Sequence, residues 1–303
     1  MKRSIAVIGQ GFVGGTLTTV FTERGATVYA CDKAGKYVPA AFPVSSLIKD
    51  LVLKCESMPD FSGVYFVCVP TPMSEQGAAD TSTVEDVLKE IASAPGDATR
   101  IAVIKSTVPP GSTVEWSSLY DNLTVVFNPE FLTEANALND MRNQTRIIIG
   151  GEKTAINVVR DLYYTYFPDV PILKTTKATT AEMVKYFINL QLAVRVILSC
   201  EMAEICEALT EAGYETDYER VVEFAKYDKR LGNTHMNVPG AGGVAGARGH
   251  CFPKDMNALI AVAKLLNVKP TVLAAAWEKN LEVVKPEDRD WEKMPGRAVT
   301  SRS

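Results

Sequence analysis

The chain has 303 residues, 47% hydrophobic and 22% charged, a balance that excludes a disordered or low-complexity protein and gives room for about two domains. A formal net charge of -4 argues against a surface built for nucleic acid or anionic lipid. The basic start Met1-Lys2-Arg3 runs into a short strand and then glycine, not into the apolar core of a signal sequence, and Leu190 to Leu198 is interrupted by Arg195 and too short to span a bilayer. A cytoplasmic protein without a membrane or nucleic-acid partner is expected.

In chain order, β-rich runs alternate with helical patterns through the first half. Strands are predicted at Ser4 to Ile8, Thr27 to Cys31, Val64 to Val69, Ile101 to Lys105, Thr124 to Phe127 and Arg146 to Gly150. Strands separated by helices predict a parallel sheet covered on both faces, a Rossmann-like doubly wound α/β domain over 1–175. From Lys177 to Ala212 no glycine or proline occurs, and Met183, Phe187, Leu190, Val194, Ile197, Met202 and Ile205 recur at helical spacing. One long connecting and dimerisation helix over 176–212 is predicted, ended by Gly213. A smaller all-α substrate and dimerisation domain follows over 213–285, and the polar stretch 286–303, with Pro295-Gly296, reads as a loosely ordered tail.

The six cysteines form no C-x-x-C pair, so free, mostly buried thiols are expected, with Cys251 as the exception. His235 and His250 are the only histidines, which leaves little for a Ser-His-Asp triad or a histidine-rich metal site, and no metal is expected.

Gly9-Gln10-Gly11-Phe12-Val13-Gly14 follows the first strand and opens a helix. Gly9 permits the turn, Gly11 the approach of a pyrophosphate to the backbone, and Gly14 close helix packing, with the pyrophosphate on the free N–H groups of the helix start, at Phe12 and Val13. Asp32, ending the second strand, is placed to bond the adenosine ribose hydroxyls and to repel a 2′-phosphate, so NAD is favoured over NADP; Lys33 and Lys36 soften that preference.

Five further segments carry chemistry: Val69-Pro70-Thr71-Pro72, Lys105-Ser106-Thr107-Val108-Pro109-Pro110-Gly111, Asn128-Pro129-Glu130-Phe131-Leu132-Thr133-Glu134, Ala181-Glu182-Met183-Val184-Lys185-Tyr186-Phe187-Ile188-Asn189 and Gly249-His250-Cys251-Phe252-Pro253-Lys254-Asp255. The first three follow strands, where ligands of open α/β sheets bind. Pro253 suits the first turn of a helix, which puts Cys251 at its N-terminus, where the dipole and Lys254 would lower the thiol's pKa. Asp255 lies one turn on, and Lys185 and Asn189 are one turn apart, able to face a single substrate oxygen.

Together with the glycine fingerprint, these segments resemble the UDP-glucose/GDP-mannose dehydrogenase family from about Lys2 to Asn280. The resemblance implies a four-electron oxidation of a nucleotide sugar, with two NAD reduced per turnover. It assigns Thr71, Pro72, Thr107 and Glu134 to the cofactor, and Phe131, Leu132, Lys185, Asn189, Gly246, Arg248 and Gly249 to the substrate. In the implied mechanism a water held by Asp255 and Thr107 accepts the alcohol proton, Lys185 and Asn189 stabilise the oxyanion, Cys251 forms a thiohemiacetal and then a thioester, and Glu130 activates the hydrolytic water. Arg230, in Asp228-Lys229-Arg230-Leu231-Gly232, matches a family arginine that reaches the substrate across a homodimer. No role is expected for His250.

Two departures from the family stand out. Arg248 occupies the first glycine of the usual G-G-x-C, either adding a phosphate contact or obstructing one, and Ala247 stands where an aromatic is usual. The chain also stops about where a third domain covering the nucleotide would begin, so a short form is expected, with fewer base contacts or cover from another subunit. UDP-glucose leads as substrate, with GDP-mannose or a UDP-N-acetylhexosamine as alternatives. A two-electron hydroxyacid dehydrogenase, needing Lys185 and Asn189 but not Cys251, and a non-catalytic nucleotide-sugar-binding module are the rivals from other classes.

Overall fold

Successive side chains of a strand point to opposite faces of its sheet, so a sheet covered on both sides needs strands apolar at every position. Strands β1 (Ser4–Ile8), β4 (Phe61–Val67), β5 (Arg100–Ile104) and β6 (Leu123–Phe127) meet that need over Ile5–Ile8, Val64–Val67, Ile101–Ile104 and Val125–Phe127. Ile5, Val7, Val64, Phe66, Ile101, Val103 and Val126 join one buried cluster with helices α1 (Phe12–Glu23) and α6 (Lys153–Tyr166). Ala6, Ile8, Tyr65, Val67, Ala102, Ile104, Val125 and Phe127 join another with α2 (Ile48–Glu56), α3 (Ser82–Ser93) and Trp116 of α4 (Ser112–Ser117).

The computed structural model describes residues 3–96, 98–133, 135–240, 243–294, 296 and 298–300. It divides into two units, Met1–Thr71 with Thr81–Lys185 and Pro72–Asp80 with Tyr186–Ser303. The first holds an eight-stranded sheet in the order β3-β2-β1-β4-β5-β6-β7-β8, where β2 is Val28–Cys31, β3 Phe42–Ser45, β7 Arg146–Gly150 and β8 Ile172–Thr176.

All six expected strands are present, within a few residues of their expected bounds. The two unexpected ones, β3 and β8, are edge strands, largely solvent-facing along Phe-Pro-Val-Ser and Ile-Leu-Lys-Thr-Thr, so neither needs a continuous apolar run, and Pro43 is tolerated at an edge. The sheet is not wholly parallel as expected: β7 runs antiparallel to β6, joined through Phe127 and Gly150, after a connection that holds the short helix α5 (Ala137–Arg142).

Helix α7 spans Ala178–Glu211 and ends in a Schellman turn, with Gly213 at φ +92°, its N–H on Thr210 O and the Tyr214 N–H on Leu209 O at 2.9 Å. Its residues up to Lys185 belong to the first unit and those from Tyr186 to the second. Its apolar residues do not form one buried face: Leu190 and Ile197 are buried, whereas Met183, Phe187, Met202 and Ile205 are exposed. The second unit packs α7 with α9 (Phe252–Leu265) and α10 (Thr271–Val283) around Tyr186, Leu190, Ile197, Met256 and Ile260, and adds α8 (Tyr218–Ala225).

The expectation of a loose tail is corrected. Residues Pro286–Asp288 and Asp290–Lys293 form two 3-10 turns, and Trp291 is buried against Trp277, ring centroids 5.8 Å apart. An indole of that size stays ordered wherever it finds an apolar slot. Pro295 lies outside the described residues. Among the described residues no helix is long and apolar enough to cross a membrane.

Candidate active site

The strand order reverses between β1 and β4, which opens a crevice beyond their carboxyl ends. Gly9 leaves β1 at φ +85°, and a Cβ there would sit 2.6 Å from Cys68 O. At Gly14 a Cβ would lie 1.9 Å from Gly9 O, so the helix rests directly on the turn. Gly11 is the N-cap of α1, and a Cβ built on it meets nothing within 4 Å. The expected pyrophosphate seat is therefore open space at the start of α1, in front of Phe12 and Val13. Asp32 is fixed beside it, Oδ2 accepting from Gln10 N at 2.8 Å and Oδ1 from Ala34 N at 2.9 Å. Oδ1 also accepts from Lys36 N at 3.3 Å, and Oδ2 keeps a second lone pair for a ribose hydroxyl. These residues fit a dinucleotide.

Two neighbouring loops complete the rim. Thr71 Oγ1 donates to Thr107 O at 2.8 Å and Ser106 Oγ to Val69 O, which ties the exits of β4 and β5 together. Thr71 and Thr107 are both buried. Pro72 begins the segment 72–80 that belongs to the second unit.

Beyond β6 lies a buried ionic cluster. Lys185 Nζ donates to Glu130 Oε1 at 2.8 Å and to Glu130 O at 2.7 Å, and Leu132 N donates to Glu130 Oε2 at 2.7 Å. Burial alone would raise the Glu130 pKa, but the charge and hydrogen bond of Lys185, the Leu132 N–H and the charge of Lys105 hold it below the ordinary carboxylate value. Lys105 is also buried, its Nζ on Asn128 Oδ1 at 2.9 Å, and Tyr163 donates to the same oxygen. Loss of hydration lowers the Lys105 pKa to about 8, with Cys68 and Glu130 opposing the drop. Phe131 is stacked under the Arg146 guanidinium, 4.2 Å from its ring centroid, and Phe131 and Leu132 border a cavity of about 240 Å³ with Glu130, Lys105 and Gln144. Glu134 lies outside the described residues.

In the second unit Cys251 is the N-cap of α9, with Pro253 in the first turn, and its thiol is half-buried and in no disulfide. Asp255, one turn on, is 1% exposed and accepts from Asn189 Nδ2 at 2.6 Å and from Lys254 Nζ. Pairing with Asp255 offsets much of the field that Lys254 was expected to exert on the thiol.

The other expected substrate contacts divide. Gly246, at φ +88°, has no room for a side chain, since a Cβ would lie 2.2 Å from Val284 Cγ2. Arg248 Nε donates to Asp288 O at 2.9 Å and its guanidinium pairs with Asp290 at 3.4 Å, while Gly249 N donates to Asp290 Oδ1. Arg248, expected either to add a phosphate contact or to obstruct one, is held by these protein partners. Arg230 is 89% exposed and folds onto Asp228. The structure therefore brings Glu130 together with Lys185, and Asn189 with Asp255.

Residues without an assigned role also matter. Lys105 and Asn128 stand in quoted segments, and the lysine ending an apolar strand is the signal that could have marked it. Glu182 is fully buried and caps the start of α4 through Gly111 N at 2.6 Å and Thr113 N at 2.9 Å, which a carboxylate three residues before Lys185 on the same helix face hints at. Asn280 and Asp290 carry no sequence signal.

Comparison with known proteins gives two family matches. Residues 45–167 match the UDP-glucose/GDP-mannose dehydrogenase family, NAD binding domain, and residues 179–282 match the central domain of the same family. A putative UDP-glucose 6-dehydrogenase, YtcA, of Bacillus subtilis strain 168 is 31% identical over 301 residues, 91% of this chain and 67% of the relative. The UDP-glucose 6-dehydrogenase TuaD of the same organism is 30% identical over 303 residues, 92% of this chain and 63% of TuaD. A UDP-glucose dehydrogenase structure from the hyperthermophilic archaeon Pyrobaculum islandicum superposes with a TM-score of 0.76 at 28% identity, covering 92% of this chain and 68% of that one. The chain thus spans about two thirds of the length of these relatives.

Proposed function

The chain belongs to the UDP-glucose/GDP-mannose dehydrogenase family, and from that membership we propose that it oxidises the primary alcohol of a nucleotide sugar, UDP-glucose foremost, to the carboxylate through a thioester on Cys251. The observation that carries this reading is Cys251 at the head of α9, one turn from a buried Asp255 held by Asn189 and Lys254. A two-electron dehydrogenase has no use for a thiol in that position.

NAD would be held by Gly9, Gly11, Phe12, Val13, Gly14 and Asp32, with Thr71, Pro72, Thr107 and Glu134 assigned to it by the family resemblance, and would supply a hydride acceptor for each of the two oxidations. The chain's own residues do the rest. Asp255 and Thr107 hold the water that takes the alcohol proton, and Lys185 and Asn189 donate to the oxygen as it gains negative charge. The Cys251 thiolate adds to the aldehyde carbon and retains it as a thiohemiacetal; loss of the second hydride leaves the thioester. Glu130, ionised beside Lys185, takes a proton from the water that hydrolyses it, giving the uronate.

Assembly as a cytoplasmic homodimer accompanies this reading. Leu198, Met202, Ile205 and Leu209 lie exposed on α7 at spacings of four, three and four, the pattern of a helix-to-helix seam. Arg230, exposed on the same unit, is then available to a partner's substrate.

The decisive experiment is an NADH-production screen across UDP- and GDP-sugars with mass analysis of the product. Two NADH per uronate from one nucleotide sugar is expected, and Cys251→Ser should form no uronate. Failure of every nucleotide sugar to reduce NAD would sink the reading, and unchanged turnover of Cys251→Ser with one NADH per substrate would replace it with a two-electron dehydrogenase.

A further inference from the structure

We propose that Asp290 is a positioning residue for Cys251, holding the loop that delivers the thiol to the head of α9; its importance for turnover rests on the thioester reading above. The three residues 247–249 are all held by the chain segment 280–290. Ala247 exchanges two hydrogen bonds with the fully buried Asn280, N to Oδ1 at 2.8 Å and O from Nδ2 at 3.0 Å. Arg248 is held by Asp288 O and the Asp290 carboxylate, and Gly249 N by Asp290 Oδ1 at 3.0 Å. Cys251 follows two residues later.

This loop cannot set its own shape. Gly246 and Gly249 both sit at positive φ, +88° and +77°, and glycine backbones resist neither rotation nor fraying. The constraint has to come from a partner, and Asp290 is itself fixed because its neighbour Trp291 is buried against Trp277. The Arg248 guanidinium pairs with the same carboxylate at 3.4 Å, so the arginine that stands where the family usually has glycine and the aspartate that supports Gly249 form one device.

The test compares two charge-matched double variants, Arg248→Gly with Asp290→Asn and Arg248→Gly with Asp290→Ala. Both remove the ion pair, and only the first keeps an acceptor for Gly249 N–H. Iodoacetamide modification of Cys251 is followed by mass; the other five cysteines are buried. The alanine variant should react about fivefold more slowly than the asparagine variant, the scale of one neutral hydrogen bond of about 1 kcal/mol. Its kcat should fall by a similar factor with KM for NAD unchanged, and asparagine should restore both. Equal alkylation rates in the two variants overturn the proposal. If the alanine variant does not fold, amide exchange in the wild-type protein decides: a Gly249 amide exchanging at the rate of an unstructured peptide overturns it, and protection supports it. Alkylation and exchange need no substrate, so absence of dehydrogenase activity would defeat the functional reading while leaving this one to be judged separately.

Discussion

Asn189 donates to Asp255 Oδ2 at 2.6 Å across 66 positions of sequence, and Lys254 occupies the other oxygen of the same carboxylate. A buried carboxylate with a donor on each oxygen is satisfied only while both oxygens remain acceptors.

Asp255→Asn is isosteric but presents one acceptor and one donor to two donors. One hydrogen bond must be lost, with a destabilisation of about 2 kcal/mol in urea unfolding. Turnover should drop about a hundredfold or more while NAD affinity is kept, as measured by initial rates and cofactor titration. A variant as stable and as active as the wild type would refute the pairing.

Glu130→Gln removes the base assigned to thioester hydrolysis and the partner of Lys185. With a nucleotide sugar that the wild type oxidises, the variant should give a burst of NADH and then slow about a hundredfold. Mass spectrometry of the stalled protein should find the sugar on Cys251. An unmodified Cys251 in the stalled enzyme would assign hydrolysis to another group.

Lys105 gives a pH signature. Its folded pKa lies at about 8, below the ordinary 10.5, so the unfolded chain binds more protons between those values. Stability must then rise with pH across that window, and the cost of the buried charge is fullest below pH 8. Relative to Lys105→Met, wild-type unfolding free energy should gain about 2 kcal/mol between roughly pH 7.5 and 9.5, since one pKa unit is about 1.4 kcal/mol. A flat difference would place the lysine in contact with solvent.

Arg100 is 1% exposed and pairs with Glu56 at 2.6 Å while donating to Ile91 O and Ala94 O, which close the end of α3. Arg100→Met leaves the Glu56 charge and those carbonyls without their partner. A loss of about 3 kcal/mol is expected in chemical denaturation, with NAD binding otherwise retained in the folded fraction.

The central strands were legible because burial on both faces forces every residue to be apolar, as in Ile5 to Ile8. Edge strands β3 and β8 escaped because solvent on one side relaxes that demand. The glycine turn and Asp32 were legible because each depends on local backbone geometry. Cys251 before Pro253 announced a helix start for the same reason. Partnerships over long sequence separations were not legible. Nothing in Arg248 names Asp290 as its partner, and nothing in a polar stretch after Pro286 distinguishes a frayed end from one anchored by Trp291. The exposed positions of α7 mislead in the opposite direction: Met202 and Ile205 have the spacing of core residues yet face outward.

Met73 N donates to Ala298 O and Thr300 N to Met73 O, both at 2.8 Å, so a loop after β4 is bridged to residues up to 227 positions later. A ribosome emits position 73 long before position 300. The sheet can be finished once Lys185 has emerged, but Met73 must wait for residues 298–300 before its two long-range bonds form. Truncation before Ala298 would therefore remove both partners of a loop made more than two hundred positions earlier. A nascent chain arrested near position 290 should bind dinucleotide before residues 72–80 gain protection from protease.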